Sequence, residues 1–144
     1  VRKVAKILIA DDNPQILELL EAYLEPLAAQ IVLTADGQAA LEATQREHPD
    51  LILLDIMMPR RSGFEVCRLL KDDPRYRDIP VIMVTALNEY GDIERARECG
   101  AEDFLCKPVS KAQLLDRVQN LLKLASNRRK RPGRGRAGNA NGPE

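Results

Sequence analysis

The chain has 144 residues, enough for one domain with a full core. Apolar residues make up 44% of it, yet no apolar run approaches the roughly 18 residues of a membrane span, and the first run, Ile7 to Ala10, is too short for a signal peptide. Net charge is zero but unevenly spread: residues 1–126 carry 16 Lys and Arg against 21 Asp and Glu, and residues 127–144 carry 6 against 1.

In chain order, "VAKILIA" (4–10) reads as a first strand. Asn13-Pro14 then supplies an N-cap and a proline suited to the first helical position. Ile16, Leu19, Leu20, Tyr23, Leu24 and Leu27 recur at helical spacing and give one apolar face. "IVLTA" (31–35) is a second strand, and Gly37 to Glu47 a short Ala-rich helix stopped by His48-Pro49. "LILLD" (51–55) is a third strand. Ser62-Gly63-Phe64-Glu65 fits a capping box for a third helix over 63–71. "VIMVT" (81–85) is a fourth strand, followed by a helix over 89–99 that Gly100 can end. "DFLCK" (103–107) is a fifth strand. Ser110-Lys111-Ala112-Gln113 is a second capping box, opening a last helix with Leu114, Val118, Leu121, Leu122 and Ala125 on one face.

Strands alternating with helices predict a parallel sheet covered on both sides, and near-continuous apolar strands agree. The tail "NRRKRPGRGRAGNANGPE" (127–144) has no apolar periodicity and is expected to be a disordered tail or linker after a domain over 1–126. Its basic residues lack interleaved aromatics, a weak basis for nucleic-acid contact. Cys67, Cys99 and Cys106 are odd in number and follow no metal spacing, so they are expected to be reduced thiols in a cytoplasmic protein.

Ligands of doubly wound sheets bind beyond the C-terminal strand ends. There the sequence places polar residues at the tips of four apolar strands: Asp11 and Asp12, Asp55, Thr85 and Lys107. Two unit charges about 4 Å apart repel by about 4 kcal/mol at an effective dielectric of 20, so converging carboxylates call for a cation. Hard oxygen ligands suit Mg²⁺, which also associates with phosphate. The Thr85 hydroxyl and the Lys107 ammonium are groups that a phosphate would use. Singly, each of these residues has an ordinary structural explanation: a helix cap, a β-branched strand residue, a solvated lysine. Four such strand tips on one sheet are much harder to explain that way.

With Asp11-Asp12, "DIMMPRRSG" around Asp55, "VIMVTA" with Thr85 and "GAEDFLCKP" with Lys107-Pro108, the chain from residue 4 to about 124 resembles a response-regulator receiver domain of two-component signalling. The resemblance implies a doubly wound five-stranded parallel sheet in the flavodoxin-like order 2-1-3-4-5. It implies that Asp55 is the phospho-acceptor and that Asp11, Asp12, Asp55 and the carbonyl of Met57 surround Mg²⁺. Thr85 and Lys107 would contact the phosphoryl group, Phe104 would be the switch aromatic beside Thr85, and the bond to Pro108 would be cis. The implied partner is a sensor histidine kinase or phosphotransfer protein. The implied output is a change on the face of the 89–99 helix, the fifth strand and the last helix, where a homodimer could form with help from Asp103 and Arg117. Such a protein is a cytoplasmic signalling receiver that catalyses only its own phosphorylation and dephosphorylation, with no membrane segment and no direct nucleic-acid binding by the domain. It would be either a stand-alone receiver or the front of a longer regulator. Met57 and Leu87, two residues beyond Asp55 and Thr85, are both apolar and predict slow loss of the phosphate.

Three rival readings fit less well. A haloacid-dehalogenase-type phosphatase places a second Asp two residues after its nucleophile, and here that position is Met57. A flavodoxin-type cofactor binder needs a phosphate-cradling loop after the first strand, where "ADDNPQ" would repel phosphate. A phosphorylation-independent binding module has no reason to retain both Asp55 and Lys107.

Overall fold

The structure, a computed structural model, describes residues 4–86, 94–95 and 97–129. Five strands, β1 (Lys6–Ala10), β2 (Gln30–Thr34), β3 (Leu51–Leu54), β4 (Val81–Thr85) and β5 (Asp103–Cys106), form one parallel sheet in the order β2-β1-β3-β4-β5. The helices are α1 (Pro14–Tyr23), α2 (Gly37–Glu47), α3 (Gly63–Lys71) and α4 (Lys111–Arg129). Glu94, Arg95, Arg97 and Glu98 are also helical, so the described part of the helix expected over 89–99 has that conformation. Its end is the expected one: Gly100 takes φ +94° and donates its N–H to the Arg97 carbonyl.

Strand periodicity divides the core. Leu8, Ala10, Ile52, Leu54, Val81 and Met83 point to one face, with Ala40 and Ala43 of α2 and Val66, Cys67 and Leu70 of α3. Ile7, Ile9, Leu51, Leu53, Ile82 and Val84 point to the other, with Leu17 and Leu20 of α1 and Leu114 and Val118 of α4. Alternate residues thus serve opposite layers, which is why the central strands read as unbroken apolar runs.

The caps follow the sequence. Asn13 Oδ1 accepts from Gln15 N at 2.9 Å, Ser62 Oγ from Glu65 N at 3.2 Å, and Ser110 Oγ from Gln113 N at 3.3 Å. Several boundaries differ from expectation: β2 lies one residue earlier than 31–35, and β3 and β5 end one residue short of 51–55 and 103–107. The first helix ends at Tyr23, and Glu25–Leu27 continue as a 3₁₀ turn; Pro26 has no N–H and its ring clashes with the preceding turn, so the α-helix cannot run through it. The first strand begins at Lys6. The last helix runs to Arg129, past the boundary expected at residue 126. The rest of the tail, 130–144, lies outside the described residues.

Candidate functional site

Strand register builds the site. Ala10 pairs with Leu54 and the Asp55 N–H donates to the Ala10 carbonyl at 2.9 Å, so Asp11 and Asp55 leave neighbouring strands side by side. Thr85 ends the next strand, and its carbonyl accepts from Lys107 N at 2.8 Å, which sets the lysine beside it. The Lys107–Pro108 peptide is cis.

Asp11, Asp55 and Thr85 are buried, at 1%, 5% and 1% exposure, whereas Asp12 is exposed. Lys107 Nζ lies 2.7 Å from Asp11 Oδ2 and 3.7 Å from Asp55 Oδ1. The other Asp11 oxygen accepts from Asn13 N at 2.9 Å. One oxygen from each of Asp11, Asp12 and Asp55 falls within 4.8 Å of the others. Burial, then the Asp11 charge, push the Asp55 carboxyl up to about 6, against the opposing pull of Lys107 and the Met57 N–H. Asp55 is therefore mostly ionised at neutral pH, but at a cost that a cation would relieve.

This donor set fits Mg²⁺ on its own chemistry. Three carboxylates share a small volume with one lysine, the ligands are hard oxygens, and the exposed Asp12 leaves an open side for water.

Glycine holds the loop after β3 in place. A Cβ on Gly63 would overlap the Asp55 carbonyl oxygen, and the Gly63 N–H donates to the Ile56 carbonyl at 2.8 Å. Only glycine lets α3 start this close to the chain carrying Asp55. Sequence reasoning found this glycine only as part of a cap. It missed the main-chain N–H donors of Asn13 and Met57, because no residue type marks a main-chain donor.

The remaining candidates are arranged less directly. Met57 is 63% exposed. Phe104 is partly buried against the α2/α3 core layer. Asp103 and Arg117, expected to assist a dimer, pair within the chain at 2.7 Å between β5 and α4. Leu87 lies outside the described residues.

Comparison with known proteins agrees with this geometry. The model of the response regulator receiver domain matches residues 7–119. The response regulator PleD of Caulobacter vibrioides is 47% identical over 117 residues, which are 81% of this chain and 26% of PleD. The polar-differentiation response regulator DivK of Brucella ovis is 39% identical over 116 residues, 81% of this chain and 94% of DivK. The chain thus spans about a quarter of the first relative and nearly all of the second. Among solved structures, the receiver domain of sensor histidine kinase PA1611 from Pseudomonas aeruginosa superposes with a TM-score of 0.77 at 31% identity, covering 84% of this chain and 99% of that one. That protein was crystallised with a magnesium ion in its active site cleft. The chain belongs to the response regulator receiver domain family, the phospho-accepting module of two-component signalling.

Proposed function

We propose that Asp55 accepts the phosphoryl group, from a phosphohistidine of a sensor kinase or phosphotransfer protein. The observation that carries the proposal is a buried carboxylate, raised to about 6, beside Asp11 and Lys107 at the tip of β3. The Asp55 carboxylate attacks phosphorus in line, an O–P bond forms, the P–N bond to the donor imidazole breaks, and the imidazole leaves. Lys107 lies close enough to turn from Asp11 toward the phosphoryl oxygens. Asp11, Asp12, Asp55 and the Met57 carbonyl would hold Mg²⁺, which when bound neutralises both the carboxylates and the phosphoryl oxygens.

The product is an aspartyl phosphate, a mixed anhydride that water hydrolyses. In the proposed switch the Thr85 hydroxyl bonds the new phosphoryl oxygens and Phe104 turns into the space vacated beside it. The affected surface is that of β5, α4 and the helical segment before β5, where a target, an output domain or a second copy of the chain would bind. The Asp103–Arg117 pair ties β5 to α4 within that surface. The proposal includes a cytoplasmic location, where sensor kinases present their phosphohistidine, and slow hydrolysis beside the apolar Met57.

Acetyl phosphate with Mg²⁺ should add one phosphoryl group to the parent, read by intact mass, and none to Asp55→Asn. Equal labelling of the two would overturn the assignment.

A further inference from the structure

Two thiols meet where α3 packs against the helical segment preceding β5. Cys67 lies on the inner face of α3 and is wholly buried, while Cys99 closes the other segment and is 5% exposed. The Cys67 thiol donates to the Cys99 carbonyl oxygen at 3.4 Å. A neighbouring pair holds α3 to the link that follows that segment: Lys71, at the end of α3, lies 2.9 Å from Glu102.

Cys99 is not sealed off. A pocket of about 280 Å³ opens over it, lined also by Ser62, Phe64, Arg68, Arg95 and Glu98. The Arg95 guanidinium lies 4.1 Å above the Phe64 ring, placing a cation at this pocket. The hydrogen bond from Cys67 lowers the Cys99 thiol to about 7 against the opposing effect of burial, with main-chain N–H groups and the Arg68 charge assisting. The same hydrogen bond, together with burial, pushes Cys67 up. Cys99 at the pocket, with the buried Cys67 thiol against its main chain, matches the division between an attacking and a resolving cysteine.

We propose that Cys99 and Cys67 form a peroxide-responsive dithiol that closes to a disulfide, tying α3 to the helical segment before β5. The Cys99 thiolate attacks one oxygen of a hydroperoxide; an S–O bond forms, the O–O bond breaks, and the departing oxygen takes a proton to leave as water or an alcohol. Cys67 sulfur then attacks the Cys99 sulfenic sulfur, the S–O bond breaks, and the Cys67 proton leaves with the hydroxyl as water. Two thiols thus give two electrons to one peroxide, and a dithiol reductant reverses the change. With the Cys67 sulfur already against the Cys99 main chain, closing to the about 2.05 Å of a disulfide calls for a local movement. The pair stands apart from the phosphoacceptor cluster and does not depend on phosphoryl transfer.

The test uses the full chain with Cys106→Ser, which removes the exposed thiol. One equivalent of hydrogen peroxide should lower the intact mass by about 2 units, with a Cys67–Cys99 cross-linked peptide in a non-reducing digest and full reversal by dithiothreitol. Adding Cys67→Ala, or Cys67→Ser should the alanine variant unfold, should stop the reaction at a Cys99 sulfenic acid that dimedone captures. Both thiols remaining alkylatable after peroxide, or oxygen accumulating on Cys99 without a cross-link while Cys67 is present, would overturn the proposal.

Discussion

The two ends of the sheet carry charge in opposite ways. At the N-terminal edge Glu47, Asp50 and Glu102 all have partners. Lys6 Nζ lies 3.0 Å from Glu47 Oε1, and the Lys6 N–H donates to Asp50 Oδ2 at 2.8 Å. Glu102 takes Lys71 Nζ at 2.9 Å and the Val81 N–H at 2.8 Å. These groups include the rim of a hollow of about 680 Å³ lined by Lys6, Glu47, Asp50 and Asp78 among others. At the C-terminal edge three carboxylates converge, and the Lys107 ammonium pairs with the two that are buried, Asp11 and Asp55. Compensated charge at one edge pins strands and loops; uncompensated charge at the other stores repulsion that a metal ion can relieve.

The strongest way to break this contrast is to remove the cation that pairs with Asp11 and Asp55. Lys107→Met leaves Asp11 and Asp55 facing each other with little water between them. In EDTA the variant should lose about 2–4 kcal/mol of stability in urea unfolding, toward the low end of the range for breaking a buried ion pair, since Asp55 can take up a proton instead. Millimolar Mg²⁺ should return part of that loss by binding only the folded chain. Unchanged stability in EDTA would mean that Lys107 is solvated and that the carboxylates do not press on one another.

The opposite change sharpens the contrast. The Asp55 carboxyl is raised from 3.8 to about 6, so the folded chain binds this proton more tightly than the unfolded chain does. Its contribution to stability is complete below the ordinary value and is lost as pH rises through about 6. Asp55→Asn carries no such loss. In EDTA near pH 7.5 it should be more stable than the parent by about 1–3 kcal/mol, and the gap should close near pH 4. Asp11, Asp12 and Lys107 face the same point, so the fitted midpoint belongs to the cluster. A gap constant from pH 4 to pH 8 would show that Asp55 does not titrate between these limits.

How much of this was legible beforehand depended on whether a residue's own chain carried the signal. A buried parallel strand writes an apolar run, and an acid at its end stands out; Asp55 after "LILL" was visible for that reason. The order of the strands was not written locally and came from the resemblance. Pro26 was a printed signal that the longer periodicity from Ile16 to Leu27 obscured. The need for glycine at position 63 could not be read, because its cause is the Asp55 carbonyl, eight positions away in sequence and reached only once the loop folds. Cys67 and Cys99 are separated by 32 positions, and their spacing gave no hint that they would touch.

The smallest effect belongs to the compensated edge. Lys6 and Glu47 side chains are each 27% exposed, and the ammonium also donates to the Glu47 carbonyl at 3.2 Å. Water screens such a pair, and holding two long side chains in one geometry costs rotamer freedom, so little net gain remains. The hydrogen bond from Lys6 holds the Glu47 carboxyl below its usual value. Any stability from this pair is therefore present above the ordinary carboxylate range and fades as pH falls through the lowered value. Lys6→Met should shift the urea midpoint only marginally at neutral pH and not at all at low pH. It should leave both the stabilisation by Mg²⁺ and the labelling by acetyl phosphate as they are in the parent, because Lys6 and Glu47 lie at the opposite edge from the carboxylate cluster. A Lys6→Met loss as large as that of Lys107→Met, or one that Mg²⁺ repairs, would erase the distinction between the two edges.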